Sequence, residues 1–151
     1  MARGAVAKKN ARPMRSSYIL DEQIGFILRM VSQRHAAIFA RDIGTNLTPT
    51  QWAALSKLAE AGPCSQNQLG RLTAMDVATI KGVIDRLSAR GLTETSPDPD
   101  DGRRLLVSLT RAGQQLAEKL APNAIAITRE TLAPLDAKER EVLMALLNKL
   151  R

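Results

Sequence analysis

The sequence is poor in the residues that carry covalent and catalytic chemistry: its 151 residues include one cysteine, one histidine and only 3% aromatic side chains. The lone Cys64 cannot close an intramolecular disulfide. With His35 as the only histidine, a zinc site would need several carboxylates gathered around the pair, so no structural metal is expected. There is no phosphate-binding loop and no close carboxylate pair inside an apolar stretch. An enzyme is therefore not expected, nor a cofactor. No apolar run approaches the roughly 18 residues that span a bilayer, and residues 1–15 lack the apolar stretch of a signal peptide. The expectation is a cytoplasmic protein with no membrane partner.

What the chain does have is a globular composition, 44% hydrophobic and 25% charged, and a formal charge of +7. That excess points to a polyanionic partner, but its distribution matters more than its sum. Arg3, Lys8, Lys9, Arg12 and Arg15 stand in the first fifteen residues with no acid among them. Residues 1–16 thus read as a basic tail, which either solubilises the chain or tracks a phosphate backbone or adjacent groove.

Proline, glycine and capping residues divide the remainder. From Ser17 to Asp42 the spacing predicts a helix with Ile24, Ile27, Leu28, Val31, His35 and Ile38 on one side. Phe26, Met30 and Ala37 lie on the other, and a helix apolar on two sides must be covered twice, in so short a chain by a partner subunit. Thr48-Pro49-Thr50-Gln51 predicts a capping box and a second helix to Ala61. Ser65 to Gln68 repeats the pattern for a short third helix. Asp76 caps a fourth that buries Ile80, Val83, Ile84 and Leu87 and ends at Arg90-Gly91.

Two helices separated by Thr73-Ala74-Met75 form a helix-turn-helix pattern. Leu92 to Ser96 and Arg104 to Leu109 then read as strands around a charged tip, placing a wing directly after the recognition helix. Thr110 caps a long helix to about Thr131, with a kink or break expected at Pro122. Asp136 to Glu139 starts a terminal helix bearing Val142, Leu143, Leu146, Leu147 and Leu150. The fold class expected is mainly α with a small β-hairpin wing: a winged helix-turn-helix lobe plus N- and C-terminal dimerisation helices.

The stretches SQNQLGRLTAMDVATIKGVIDRLSARGL and DPDDGRRLLVSLTRAG resemble the MarR family of bacterial transcriptional regulators. In the second, Asp101, Arg103, Leu109 and Thr110 match the family's wing signature; Gly102 stands where many relatives carry a second arginine. The resemblance implies a homodimer gripping a pseudo-palindromic double-stranded operator. Residues 17–151 would form one MarR-like domain, with dimerisation helices at 17–43 and 111–151 and the winged helix-turn-helix at 48–110. QIGFILRMVSQRHAAIFA and SQNQLGRLTAMDVATIKGV look closest to repressors of aromatic-acid degradation operons. This implies a small-molecule effector, an aromatic acid or its coenzyme A thioester, that releases the protein from DNA. A winged-helix module that binds DNA architecturally, or protein partners, without a ligand is the alternative.

On the recognition helix, Ala78, Thr79, Lys81 and Gly82 occupy the first turns, where side chains turned from the core approach base edges. Arg86 and Arg90 either touch phosphate or pair with Asp85 or the wing acids. At the wing tip Arg103 or Arg104 enters a minor groove, with Asp101 orienting Arg103 by an ion pair. The chain's aromatic residues, Tyr18, Phe26, Phe39 and Trp52, all precede residue 53. They either line a ligand pocket with His35 or fill a core. Arg29, Arg34 and Arg41 either neutralise an anionic ligand or form a solvated helix face. Peroxide-sensing relatives place their reactive cysteine in the first helix, which has none here, so a redox role for Cys64 is not expected.

Overall fold

The computed structural model describes residues 17–151; the basic tail at 1–16 lies outside the described residues. The first α-helix, α1 (Ile24–Asp42), starts seven residues later than its apolar pattern suggested. A single 3-10 turn (Leu20–Glu22) precedes it, and Gln23 remains extended with no side-chain cap. Residues 17–22 are exposed, so a longer helix there would have nothing to pack against. At the other end Ile38, Phe39 and Ile43 are buried, and Gly44 turns the chain at φ +81°.

Helix α2 (Pro49–Ala61) begins with a full capping box. The Gln51 amide donates to Thr48 Oγ1 at 3.2 Å and the Thr48 amide donates to Gln51 Oε1 at 3.1 Å. Helix α3 (Gln66–Leu72) has the serine half, the Gln68 amide donating to Ser65 Oγ at 3.3 Å. Helix α4 (Val77–Ala89) is capped by Asp76, whose carboxylate accepts from the Thr79 amide at 2.7 Å. Hydrogen bonds from Thr79 hold that carboxyl below its ordinary range. Gly70 lets α3 approach the turn closely, since a Cβ there would lie 3.1 Å from the Met75 carbonyl oxygen.

Strand β1 (Thr93–Pro97) pairs antiparallel with β2 (Leu105–Leu109), in register Thr93 to Leu109 and Pro97 to Leu105. A backbone bridge between Cys64 and Val107 ties this wing to the turn between α2 and α3. Helix α5 (Arg111–Thr131) is continuous through Pro122, so the helix is not broken there. The ring removes one amide, but Ala117, Leu120 and Ile127 keep one buried face across that point, against α1 and α2. Helix α6 (Ala137–Leu150) follows a second full capping box at Asp136 and Glu139.

The core joins the end of α1, helices α2 to α5 and the wing. Ile43, Leu55, Leu69, Ile80 and Leu87 are its largest wholly enclosed side chains, each worth about 1.5–3 kcal/mol of apolar transfer. Outside it, the first half of α1 and all of α6 leave apolar faces open: Ile24 is 63% and Leu150 73% exposed, and α6 contributes no buried residue. No helix among the described residues is long and apolar enough to cross a membrane.

Candidate nucleic-acid interface and ligand cavity

Burial of Ile80, Val83, Ile84 and Leu87 rotates the opposite side of α4 outward. Ala78, Thr79, Lys81 and Arg86 are exposed there, with Gly82 half-buried between them. The Lys81 ammonium pairs with Asp85 at 2.7 Å, one helical turn along. Both partners are about 60% exposed (63% and 61%), a setting in which such a pair is worth only a few tenths of a kcal/mol. Lys81 can therefore exchange Asp85 for an outside acceptor. The Arg90 guanidinium donates to the Asn46 carbonyl at 3.2 Å, in the loop between α1 and α2.

At the wing tip the expected ion pair between Asp101 and Arg103 is replaced by a backbone contact. Asp101 Oδ1 accepts from the Arg103 amide at 3.1 Å, while the Asp101 carbonyl accepts from the Arg104 amide at 2.8 Å. A short acidic side chain satisfies a turn amide in this way, here with one carboxylate oxygen. Among the described residues nothing engages the Arg103 guanidinium, whereas Arg104 lies 3.5 Å from Ser65 Oγ. Arg71, Lys81, Arg86, Arg103 and Arg104 thus give the lobe exposed positive groups on α3, α4 and the wing.

Where α1, α2 and α5 meet, His35, Phe39, Pro49, Trp52, Ala124, Ile127 and Thr128 line a half-open cavity of about 190 Å³. Three of the seven candidate ligand residues, His35, Phe39 and Trp52, meet there. The other four do not line it: Tyr18 is 75% exposed, and Phe26 and Arg29 lie nearer the start of α1. Arg34 instead closes the end of α5, donating to the Thr131 carbonyl at 2.6 Å and the Glu130 carbonyl at 3.1 Å. A guanidinium there satisfies helix-terminal carbonyls and sits favourably in the helix dipole. Arg41 is held by Asp42 at 2.6 Å. Pro49, Ala124, Ile127 and Thr128 complete the walls and carry no distinctive mark in the sequence. Their only signal there is the i, i+3, i+4 spacing of the last three, which core packing explains equally well.

Beside the cavity, His35 Nδ1 lies 2.8 Å from Thr131 Oγ1, which lies 2.8 Å from the Ile127 carbonyl oxygen. Along the other side of Trp52, a groove between α2 and α5 is lined by Ser56, Ala59, Glu60, Ala117, Glu118 and Ala121. Cys64 is buried, and burial pushes its thiol pKa up, away from the reactive thiolate.

Residues 47–105, the lobe that carries this basic surface, match the MarR family. The chain is 41% identical over 134 residues to the HTH-type transcriptional repressor NicR of Pseudomonas putida, covering 88% of this chain and 85% of that one. A crystal structure of a probable transcriptional regulator from Pseudomonas aeruginosa superposes with TM-score 0.86 at 62% identity, over 88% of this chain and 100% of the other. BpsR of Bordetella bronchiseptica, whose DNA binding is regulated by 6-hydroxynicotinic acid, gives TM-score 0.84 at 42% identity, over 89% and 96%. With helices, wing and basic surface all accounted for, the chain belongs to the MarR family of winged helix-turn-helix transcriptional regulators.

Proposed function

We propose that this protein is a repressor of an aromatic-acid degradation operon, released from its operator by the free acid. The observation that carries this reading is the position of the cavity. His35 and Phe39 belong to α1, outside the DNA lobe, whereas Pro49 and Trp52 open the first helix of that lobe. A ring seated between them touches both bodies, and BpsR and NicR are similar along most of their length. To release DNA, the ligand must bind better to a form whose recognition helices are misplaced for successive major grooves, since equal affinity for both forms shifts nothing.

The cavity favours the acid over its coenzyme A thioester. Its 190 Å³ lies below the roughly 300 Å³ at which pockets for larger ligands begin. The adjoining groove presents Glu60 and Glu118, the wrong sign for a phosphorylated tail. The assembly in this reading is a homodimer, because the open faces of α1 and α6 exceed what one small lobe can cover.

A gel shift on the protein's own promoter region, repeated with an aromatic acid and with its thioester, tests the proposal. Release by the acid at submillimolar concentration is expected. Release by the thioester alone overturns the choice of ligand, and retention of DNA with either compound bound leaves a ligand-independent DNA-binding module.

A further inference from the structure

The hydrogen-bond chain beside the cavity fixes which nitrogen of His35 carries the proton. Thr131 Oγ1 is 2.8 Å from the Ile127 carbonyl oxygen and 2.8 Å from His35 Nδ1. Each contact needs a hydrogen. The carbonyl has none, so the single hydroxyl hydrogen goes to Ile127, and the hydrogen between Oγ1 and the ring must come from Nδ1. In the neutral imidazole this leaves Nε2 with a lone pair. No described residue bonds that atom, and with Nδ1 committed to Thr131 it is the polar atom His35 has left to offer the cavity it lines.

We infer that His35 is a specificity-determining acceptor, and that the effector therefore carries a hydrogen-bond donor on its ring, a hydroxyl or a ring N–H, facing His35 Nε2. The inference rests on the aromatic-acid reading above and narrows it from aromatic acids in general to those with a donor on the ring. Of the remaining walls, Phe39, Trp52, Ile127, Ala124 and Pro49 offer a ring apolar contact, and Thr128, whose hydroxyl hydrogen goes to the Ala124 carbonyl at 3.2 Å, is the one other side-chain acceptor, which His35→Phe leaves in place. A ring without a donor would leave the Nε2 lone pair unsatisfied, and one that presents a bare nitrogen would set two lone pairs against each other.

Because His35 is the only histidine, labelling histidine with nitrogen-15 gives a spectrum of one imidazole. In the full-length protein at about pH 8, above the usual histidine range, Nδ1 is expected to show the pyrrole-type shift and Nε2 the pyridine-type shift. Thr131→Val should unlock the ring into a mixture. Calorimetry then compares 6-hydroxynicotinic acid, which presents a donor as hydroxyl or ring N–H, with nicotinic acid, whose ring nitrogen offers only a lone pair. The wild type should prefer the first by about tenfold or more, and His35→Phe should erase the preference. A protonated Nε2 in the wild type overturns the inference, as does a preference that survives in His35→Phe. If both acids bind alike, only the donor requirement falls; if neither binds, the aromatic-acid reading falls with it.

Discussion

Lys81 and Asp85 show how a side chain on α4, the proposed recognition helix, can be held ready without being locked. Their exposed pair keeps the ammonium over the outer face of α4 at little cost to its release. Lys81→Ala is expected to cost roughly 1–3 kcal/mol of operator affinity and to relax sequence preference, read from titrations against operator and scrambled duplexes. Arg103 makes a different contribution, because nothing described in the chain engages its guanidinium and the turn beneath it is closed by Asp101. Arg103→Ala should weaken all sequences alike and flatten the salt dependence by about 0.9 in log–log slope. If both variants bind the operator as the wild type does, α4 and the wing are not the DNA-reading surface.

Among the elements, the sharpest constraint falls where α5 begins. A Cβ on Gly113 would collide with the Leu92 carbonyl oxygen, and both partners are backbone-fixed. Gly113→Ala should therefore cost roughly 1–3 kcal/mol, a fall of about 2–12 °C in the thermal midpoint of a chain this size. The α4 cap gives a pH-dependent test. The Asp76 carboxyl is lowered in the folded state by its bonds from Thr79, so its contribution is present above the ordinary carboxylate range and lost as pH falls through the lowered value. Asp76→Asn keeps an acceptor but no titration, so its stability should fall less steeply than that of the wild type on the acid side.

The same elements show what could be read before the structure. Thr48, Asp76, Thr110 and Asp136 each cap a helix as the sequence suggests, because a cap is a local contact between residues three apart. The start of α1, the continuity at Pro122 and the role of Asp101 depend on what the rest of the chain packs or leaves open, which no local pattern carries. The cavity divides the same way. His35, Phe39 and Trp52 carry visible chemistry, while Ala124, Ile127 and Thr128 come from a helix far along the chain and look like any packing face. Arg34 is ambiguous in the sequence because a cation suits a helix end as well as an anionic ligand.

For the whole molecule, the uncovered faces of α1 and α6 predict a dimer at micromolar concentration, measured by light scattering. A monomer would remove the symmetry that a palindromic operator requires. The five positive charges in residues 1–15 are proposed to engage phosphates beside the operator. Deleting them should make the salt dependence shallower by about 0.9 for every phosphate no longer neutralised, while leaving sequence preference intact; an identical slope would make the tail a solubilising segment.

Helix α5 can finally be considered as a lever. One end is pinned beside the cavity, where α1 grips Thr131 through Arg34 and His35. The other lies under the base of the wing, where the Thr110 hydroxyl donates to the Gly91 carbonyl at 2.6 Å. Its 21 residues make an arm of about 30 Å, so a tilt of about 5° moves the far end by roughly 2.5 Å. A minor groove is only about 6 Å wide. In the proposed mechanism, therefore, a ring that prises α1 from α5 by less than its own thickness has enough mechanical gain to lift a wing arginine out of register with DNA.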